Sequence, residues 1–280
     1  MIAVDKIVGT PIERADLHRL ATLLDAAPRG PSEYSLANLV LYRARHDYRL
    51  VEGPSPFVLG RTYDGATHAL PLCALDLAAA DRLLDHASCI YPLEEAEAQT
   101  LCAGGAFRIE AREADADYLY DARRLTGLTG AGAKRAQAAK FEALAPRLAP
   151  FDAAPAREVL AGWVADAGRG PDHADAHECA EAITRRSELL LEGVCVFVDD
   201  VPAAFLLAGP ERAGGERTVH FAKGRRAHDG VYPWMFARFA AHCGVARLNF
   251  EQDLGNPGLA QSKRALAPMG RLNKFRLGRA

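Results

Sequence analysis

The chain has 280 residues, 49% of them hydrophobic, 8% aromatic and 25% charged. That length and balance build one large packed unit or two smaller ones and exclude a disordered, collagenous or disulfide-scaffold protein. Lys and Arg total 34 against 36 acids, a formal charge of −2, so no overall basic field draws nucleic acid or anionic lipid, and any RNA contact has to be local.

The opening MIAVDKIVGTPIERAD lacks the apolar core and small-residue cleavage site of a secretory leader. No stretch approaches the ~18 apolar residues of a membrane span, and the reading is a soluble, cytoplasmic protein. Cys73, Cys89, Cys102, Cys179, Cys195 and Cys243 form no CxxC pair, so buried reduced thiols are expected in place of a zinc or redox motif.

Thr10-Pro11-Ile12-Glu13 sets a capping hydroxyl, a first-turn proline and a carboxylate three residues on, which predicts a helix to about Ala26, stopped by Gly30 and Pro31. A short helix over 36–43 follows, then strands over 56–60 and 67–72 forming a hairpin around Asp64-Gly65. Residues 75–86 and 92–102 have helical composition, and 107–111 reads as a strand. The acids of 113–117 read as a helix start ahead of Tyr118-Leu119-Tyr120, with basic 131–148 as the next helix.

Asp152 can cap a helix running through Trp163, and a loop over 168–171 separates it from a helix over 173–186. Strands over 189–198, 201–207 and 217–222, the first two joined by Asp199-Asp200, make an antiparallel meander. A helix over 232–242, a strand over 246–250, a short helix after Pro257 and a strand over 271–277 complete the order ααβββαβαβ. The expected architecture is α/β (α+β) in two blocks, 1–150 and 151–280, each a mixed, mostly antiparallel sheet flanked by helices. The second sheet parts where pairing changes direction, and ligands favour such a parting.

Asn249-Phe250-Glu251-Gln252-Asp253-Leu254-Gly255, followed by Gly258-Leu259, Ser262-Lys263 and Pro268, resembles the closing signature of the phosphatidylglycerol lysyltransferase C-terminal-domain family (DUF2156). Further matches follow in family order over nearly the whole chain. They are Ser32-Glu33-Tyr34-Ser35 with Asn38, Asp117-Tyr118-Leu119-Tyr120, Lys134-Arg135 ahead of Phe141, Glu181-Ala182-Ile183, His220-Phe221-Ala222-Lys223 and Asp229-Gly230-Val231-Tyr232. Three positions depart from the usual pattern: Ala136-Gln137-Ala138-Ala139 has no Asn, Phe250 stands where Arg is common, and Leu266 replaces a frequent Tyr. The resemblance implies tandem GNAT-like domains related to the Fem-type aminoacyltransferases, with the site in the second copy. It also implies transfer of an aminoacyl group, with aminoacyl-tRNA as the candidate donor and a small amine or hydroxyl as acceptor.

Acyl transfer needs a proton acceptor, a stabilised oxyanion and a held donor. Glu251, Asp253, Lys263 and Tyr232 are the candidate catalytic residues. In a continuing strand Glu251 and Asp253 share a face, so one of them can act as base, or both can cap the helix that follows. Lys263 either neutralises Asp253 or holds an anionic donor, and Tyr232 can donate to the oxyanion or leaving group. His220, Lys223, Arg225, Arg226 and Asn249 are candidate donor-binding residues, because basic side chains beside a helix N-terminus attract phosphate. Lys134 and Arg135 join Arg123, Arg124 and Lys140 in a local basic patch, and Lys263, Arg264, Arg271, Lys274, Arg276 and Arg279 form another. These either meet the phosphates of a tRNA acceptor stem or are solvated surface.

The run 223–230 lacks the glycine pattern of acetyl-CoA users, which leaves acyl-CoA as the alternative donor and a non-catalytic small-molecule-binding protein on the same scaffold as a third reading. Residues 127–134 fail the P-loop rule and read as a flexible loop. His173 and His177 lack a third ligand and no GxSxG elbow occurs, so neither a metal site nor hydrolase chemistry is expected. Trp163, Trp234 and Phe236 read as core.

Overall fold

Glu13 and Asp16 decide where the first helix starts in the computed structural model, which describes residues 9–168, 170 and 173–280. The Glu13 amide donates to Asp16 Oδ2 at 2.8 Å within a reciprocal cap. Helix α1 (Leu17–Ala26) therefore begins after a 3-10 turn, and the expected start at Thr10 is instead strand β1 (Thr10–Pro11), paired with Leu50 and Arg49. The Ser35 hydroxyl caps α2 (Leu36–Leu41). Strands β2 (Arg49–Val51), β3 (Phe57–Arg61) and β4 (Thr67–Pro71) run antiparallel, the last two as the expected hairpin.

Helix α3 (Leu77–Leu83) leads to β5 (Cys89–Leu93), which pairs in parallel with β4. Periodicity misses β5 because all five residues are buried and show no alternation, while Pro92 mimics a helix opening. Helix α4 accordingly covers only Glu95–Cys102, ahead of β6 (Phe107–Ala111).

The acid-rich stretch after β6 makes only a 3-10 turn over Glu113–Asp115 and starts no α-helix. Asp117–Asp121 is strand β7, because it pairs antiparallel with Arg247–Asn249, far away in sequence. Helices α5 (Ala122–Thr126) and α6 (Gly132–Glu142) follow, and β8 (Arg147–Pro150) takes the residues expected to end the second of them by pairing with Val194–Phe197 at a sheet edge. The expected order then appears up to its last strand: α7 (Ala153–Asp166), α8 (Ala176–Thr184), β9 (Glu192–Val198), β10 (Val201–Ala208), β11 (Glu216–Gly224), α9 (Val231–His242), β12 (Arg247–Asn249) and α10 (Pro257–Arg264). The single strand expected over 271–277 is instead two, of which β13 (Gly270–Leu272) joins the second sheet and the other the first. The loop expected at 168–171 lies partly outside the described residues. The final strand is β14 (Phe275–Arg279).

The sheets are β1-β2-β3-β4-β5-β14-β6 and β13-β7-β12-β11-β10-β9-β8. Two compact units result, one holding the chain to Ala116 together with Leu272–Ala280, the other Asp117–Arg271. The expected division at 150 therefore shifts, because β7 and β8 pair with strands of the second sheet while β14 inserts between β5 and β6 of the first. The second unit's core joins Tyr118, Tyr120, Phe141, Trp234, Phe236 and Leu248, so Trp234 and Phe236 are core as expected. All six cysteines are free thiols, and burial pushes Cys89 up to about 11.

In the first unit Lys274 is wholly buried, its Nζ 2.7 and 2.8 Å from the two Glu33 oxygens and 3.3 Å from Ser32 Oγ, while Tyr91 donates to Glu33 at 3.2 Å. This pair ties the Ser32-Glu33 segment to the chain just before β14. His68 on β4 is also buried, and its Nδ1 has no hydrogen-bond partner. Burial first, then interaction with His46 and Arg276, pushes its imidazole from 6.5 down to about 3. Its contribution to stability is thus complete above pH 6.5 and lost as the pH falls toward 3, at about 1.4 kcal/mol per pH unit. Urea unfolding at about pH 7.5 and about pH 5 is expected to show His68→Leu losing about 2 kcal/mol less between the two than the wild type does. Equal losses refute neutral burial of His68.

Candidate active site

The second sheet breaks its own regularity at His220. Phe221 faces Leu207 and Val219 faces Ala208, so His220 has no opposite number on β10 and bulges from the ladder. Gly209 leaves room for its ring, since a Cβ there would lie 3.0 Å from His220 Nε2. On the other edge, β11 pairs in parallel with β12 only from Glu216 to Thr218. Beyond that point His220 Nδ1 meets Glu251 Oε1 at 2.9 Å.

Glu251 has φ +55°, the left-handed region, which turns the chain away from the strand direction. Its amide donates to Asn249 Oδ1 at 2.8 Å. Lys263 Nζ donates to the carbonyls of Phe250, Glu251 and Gln252 at 2.5, 3.1 and 2.6 Å. As β12 ends, these carbonyls leave the parallel ladder, and an ammonium with three donors suits them. That main-chain role for Lys263 is not legible in its spacing from Asp253.

Asp253 stands apart from Glu251. Its Oδ2 accepts from Tyr118 Oη at 2.6 Å and its Oδ1 from the Gly255 amide at 2.9 Å, with Arg271 Nη2 3.8 Å away. Because β12 stops at Asn249, the two acids do not share a strand face. Asp253 braces the turn, and Asn256 caps α10. The His220 side chain is 1% exposed and that of Glu251 17%, so Glu251 is the member of the pair that an incoming molecule meets.

The basic residues of the following turn have acidic partners on α7 and in the segment before α8. Lys223 Nζ bonds Asp175 Oδ1 at 2.5 Å and lies 4.0 Å above the Trp163 ring. Trp163 is therefore a half-buried platform outside the core, with His173 stacked on it. Arg225 Nε and the Arg226 amide both bind Asp166 Oδ2, at 3.1 and 2.9 Å.

Tyr232 Oη accepts from the Gly224 amide at 2.9 Å, and burial pushes its hydroxyl above the ordinary tyrosine range, which keeps it a proton donor. Tyr232 and Lys134 line one open cleft of about 100 Å³ with Gln137, Asp229, Gly230, Pro233, Phe236, Ser262 and Leu266. Phe236 packs on Phe250, ring centroids 4.7 Å apart, which sets the cleft beside the residue preceding Glu251. Arg135 is exposed on α6, and residues 122–141 contain five basic side chains and no acid.

Gly230 precedes α9 with φ +86°, and a Cβ there would lie 2.1 Å from the Gln137 carbonyl oxygen. The α6 backbone thus lies directly against the start of α9, an approach only glycine permits. Gly230→Ala is expected to cost about 2–4 kcal/mol in urea unfolding, whereas Gly132→Ala, with open space around it, should be neutral or stabilising. Equal small effects would show that α6 can shift freely.

The site therefore brings His220, Asn249, Glu251 and Lys263 together, and separately Lys134 with Tyr232. The sequence reading placed Trp163 in the core and passed over Asp166 and Asp175, whose pairing with the basic residues has no local signal. A family model described as phosphatidylglycerol lysyltransferase, C-terminal, matches residues 25–277.

The chain belongs to this family.

Solved structures resemble it, among them three that match over nearly the whole chain. A conserved protein of unknown function from Bacteroides thetaiotaomicron is 21% identical with a TM-score of 0.83, covering 97% of this chain and 99% of that one. The C-terminal domain of a putative lysylphosphatidylglycerol synthetase from Agrobacterium fabrum is 14% identical, TM-score 0.64, covering 95% and 92%. L-PGS from Bacillus licheniformis is 14% identical, TM-score 0.66, covering 98% and 94%. At these identities they establish the fold alone, two mixed sheets flanked by helices. Among curated proteins none matches the chain in sequence. Among the described residues no helix is long and apolar enough to cross a membrane.

Proposed function

We propose that the unit Asp117–Arg271 transfers an aminoacyl group from its ester on tRNA to a small amine or hydroxyl, with Glu251 as the proton acceptor. The observation that carries this reading is the bulged His220 holding Glu251 where β11 and β12 part. The acceptor nitrogen or oxygen forms a bond to the ester carbonyl carbon as Glu251 takes its proton. The ester C–O bond then breaks, and the proton passes from Glu251 to the departing ribose oxygen. His220 fixes the carboxylate's direction, as a buried partner does for a positioned base.

Membership of a family named for lysyl transfer supports the reaction class. The acid-free stretch 122–141 supplies a local surface for acceptor-stem phosphates. An acyl-CoA donor fits less well, because α6 lies against the α9 start where a pyrophosphate would need main-chain amides.

The test is filter binding and transfer with a pool of radiolabelled aminoacyl-tRNAs at low and high salt. Binding that weakens as salt rises, with label leaving the tRNA, is the expected result. No binding at either salt overturns the tRNA donor and moves the search to small activated acyl donors.

A further inference from the structure

Glu251 is useful as a base only if its main chain is held in the left-handed turn; Lys263 and the Tyr118 amide hold its carbonyl, and Asn249 holds its N–H. The Asn249 side chain is completely buried. Its Oδ1 accepts the Glu251 amide at 2.8 Å, and its Nδ2 donates to Asp117 Oδ2 at 3.0 Å. Glu216 also hydrogen-bonds the Asn249 side chain from β11, and burial, the larger influence, raises that carboxyl above its ordinary value. Asp117 is itself fully buried.

An amide can be turned over without changing its shape, so something must decide which end faces Glu251. Two carboxyls facing one end decide it. The flipped amide would set its oxygen against Asp117 and Glu216 and its NH2 against the Glu251 N–H, and every contact would become repulsive. We infer that Asp117, with Glu216, is a positioning residue for Glu251, acting by fixing the orientation of the Asn249 amide. Their action passes through one side chain and one main-chain amide. The catalytic role given to Glu251 rests on the proposed function, but the orientation of the amide does not.

The experiment compares Asp117→Asn and Asn249→Ala with the wild type in two readouts. The first is the His220 Nδ1 proton in NMR spectra of the whole protein, which the Glu251 bond protects from exchange. A resolved signal in the wild type, broadened away in both variants while circular dichroism stays native, is expected. The same signal persisting in both folded variants overturns the inference, whatever the enzyme's substrate proves to be.

The second readout is steady-state transfer with whichever aminoacyl-tRNA the pool assay identifies. The expected result is kcat down tenfold or more with KM within about twofold. A lowered melting temperature with unchanged kcat would assign Asp117 a structural role only and overturn the inference. If Asn249→Ala fails to fold, Asp117→Asn decides alone, because it keeps the volume while removing the charge and replacing one acceptor oxygen with an NH2 donor. Failure of all transfer with an altered His220 signal would reject the proposed function and leave the positioning intact.

Discussion

Glu251→Gln is expected to slow single-turnover aminoacyl transfer by about 10²–10⁴-fold without loosening the fold. Glutamine keeps an oxygen for His220 Nδ1, which stands 2.9 Å from Glu251 Oε1, and it keeps the main-chain amide that binds Asn249. What it loses is the ability to take a proton. Rapid-quench measurement with a bound aminoacyl-tRNA isolates this step from product release. A rate within about threefold of the wild type would remove Glu251 from the chemistry. Asp253→Asn should by contrast act on stability, since the Tyr118 hydroxyl and Gly255 amide already occupy that carboxylate.

The largest stability effect belongs to Lys274. Lys274→Met strands Glu33, a buried carboxylate whose two oxygens lie 2.7 and 2.8 Å from the ammonium, and is expected to cost about 3–5 kcal/mol. Glu33→Gln combined with Lys274→Met removes both charges and should recover most of that loss, because Ser32 and Tyr91 can still hydrogen-bond the glutamine. Equilibrium urea unfolding of the two single variants and the double variant measures the coupling. Additive losses would show that the pair does not act as a unit.

Local signals were enough where local chemistry decides. Asp199 and Asp200, both at positive φ, announce the β9–β10 turn, and Asn256-Pro257 marks the start of α10 by a cap and a first-turn proline. The Asn249–Gly255 run marks the site through its resemblance to the family's closing signature. Strands defined by distant partners were illegible. β7 looks like an acidic helix start until Arg247–Asn249 pairs with it, and β5 hides its alternation by being buried throughout.

The same limit governs the charges. Lys223 and Asp175 are 48 residues apart and Arg225 and Asp166 59, so no spacing rule could show that the basic turn is matched by acids. Nor could spacing show that His220 bulges, since the bulge is a mismatch between two strands and belongs to neither alone.

The placement of β14 between β5 and β6 bears on how the chain is made. A ribosome delivers residues in order, and domains generally fold as units during synthesis. The first sheet has its outer strands early but lacks an interior one until all of Asp117–Arg271 has been translated. The later-encoded unit is therefore the first with all its strands to hand. Until β14 arrives, β5 and β6 carry open edges with main-chain groups that another chain can pair with, a hazard concentrated in the interval of synthesis rather than in the finished protein.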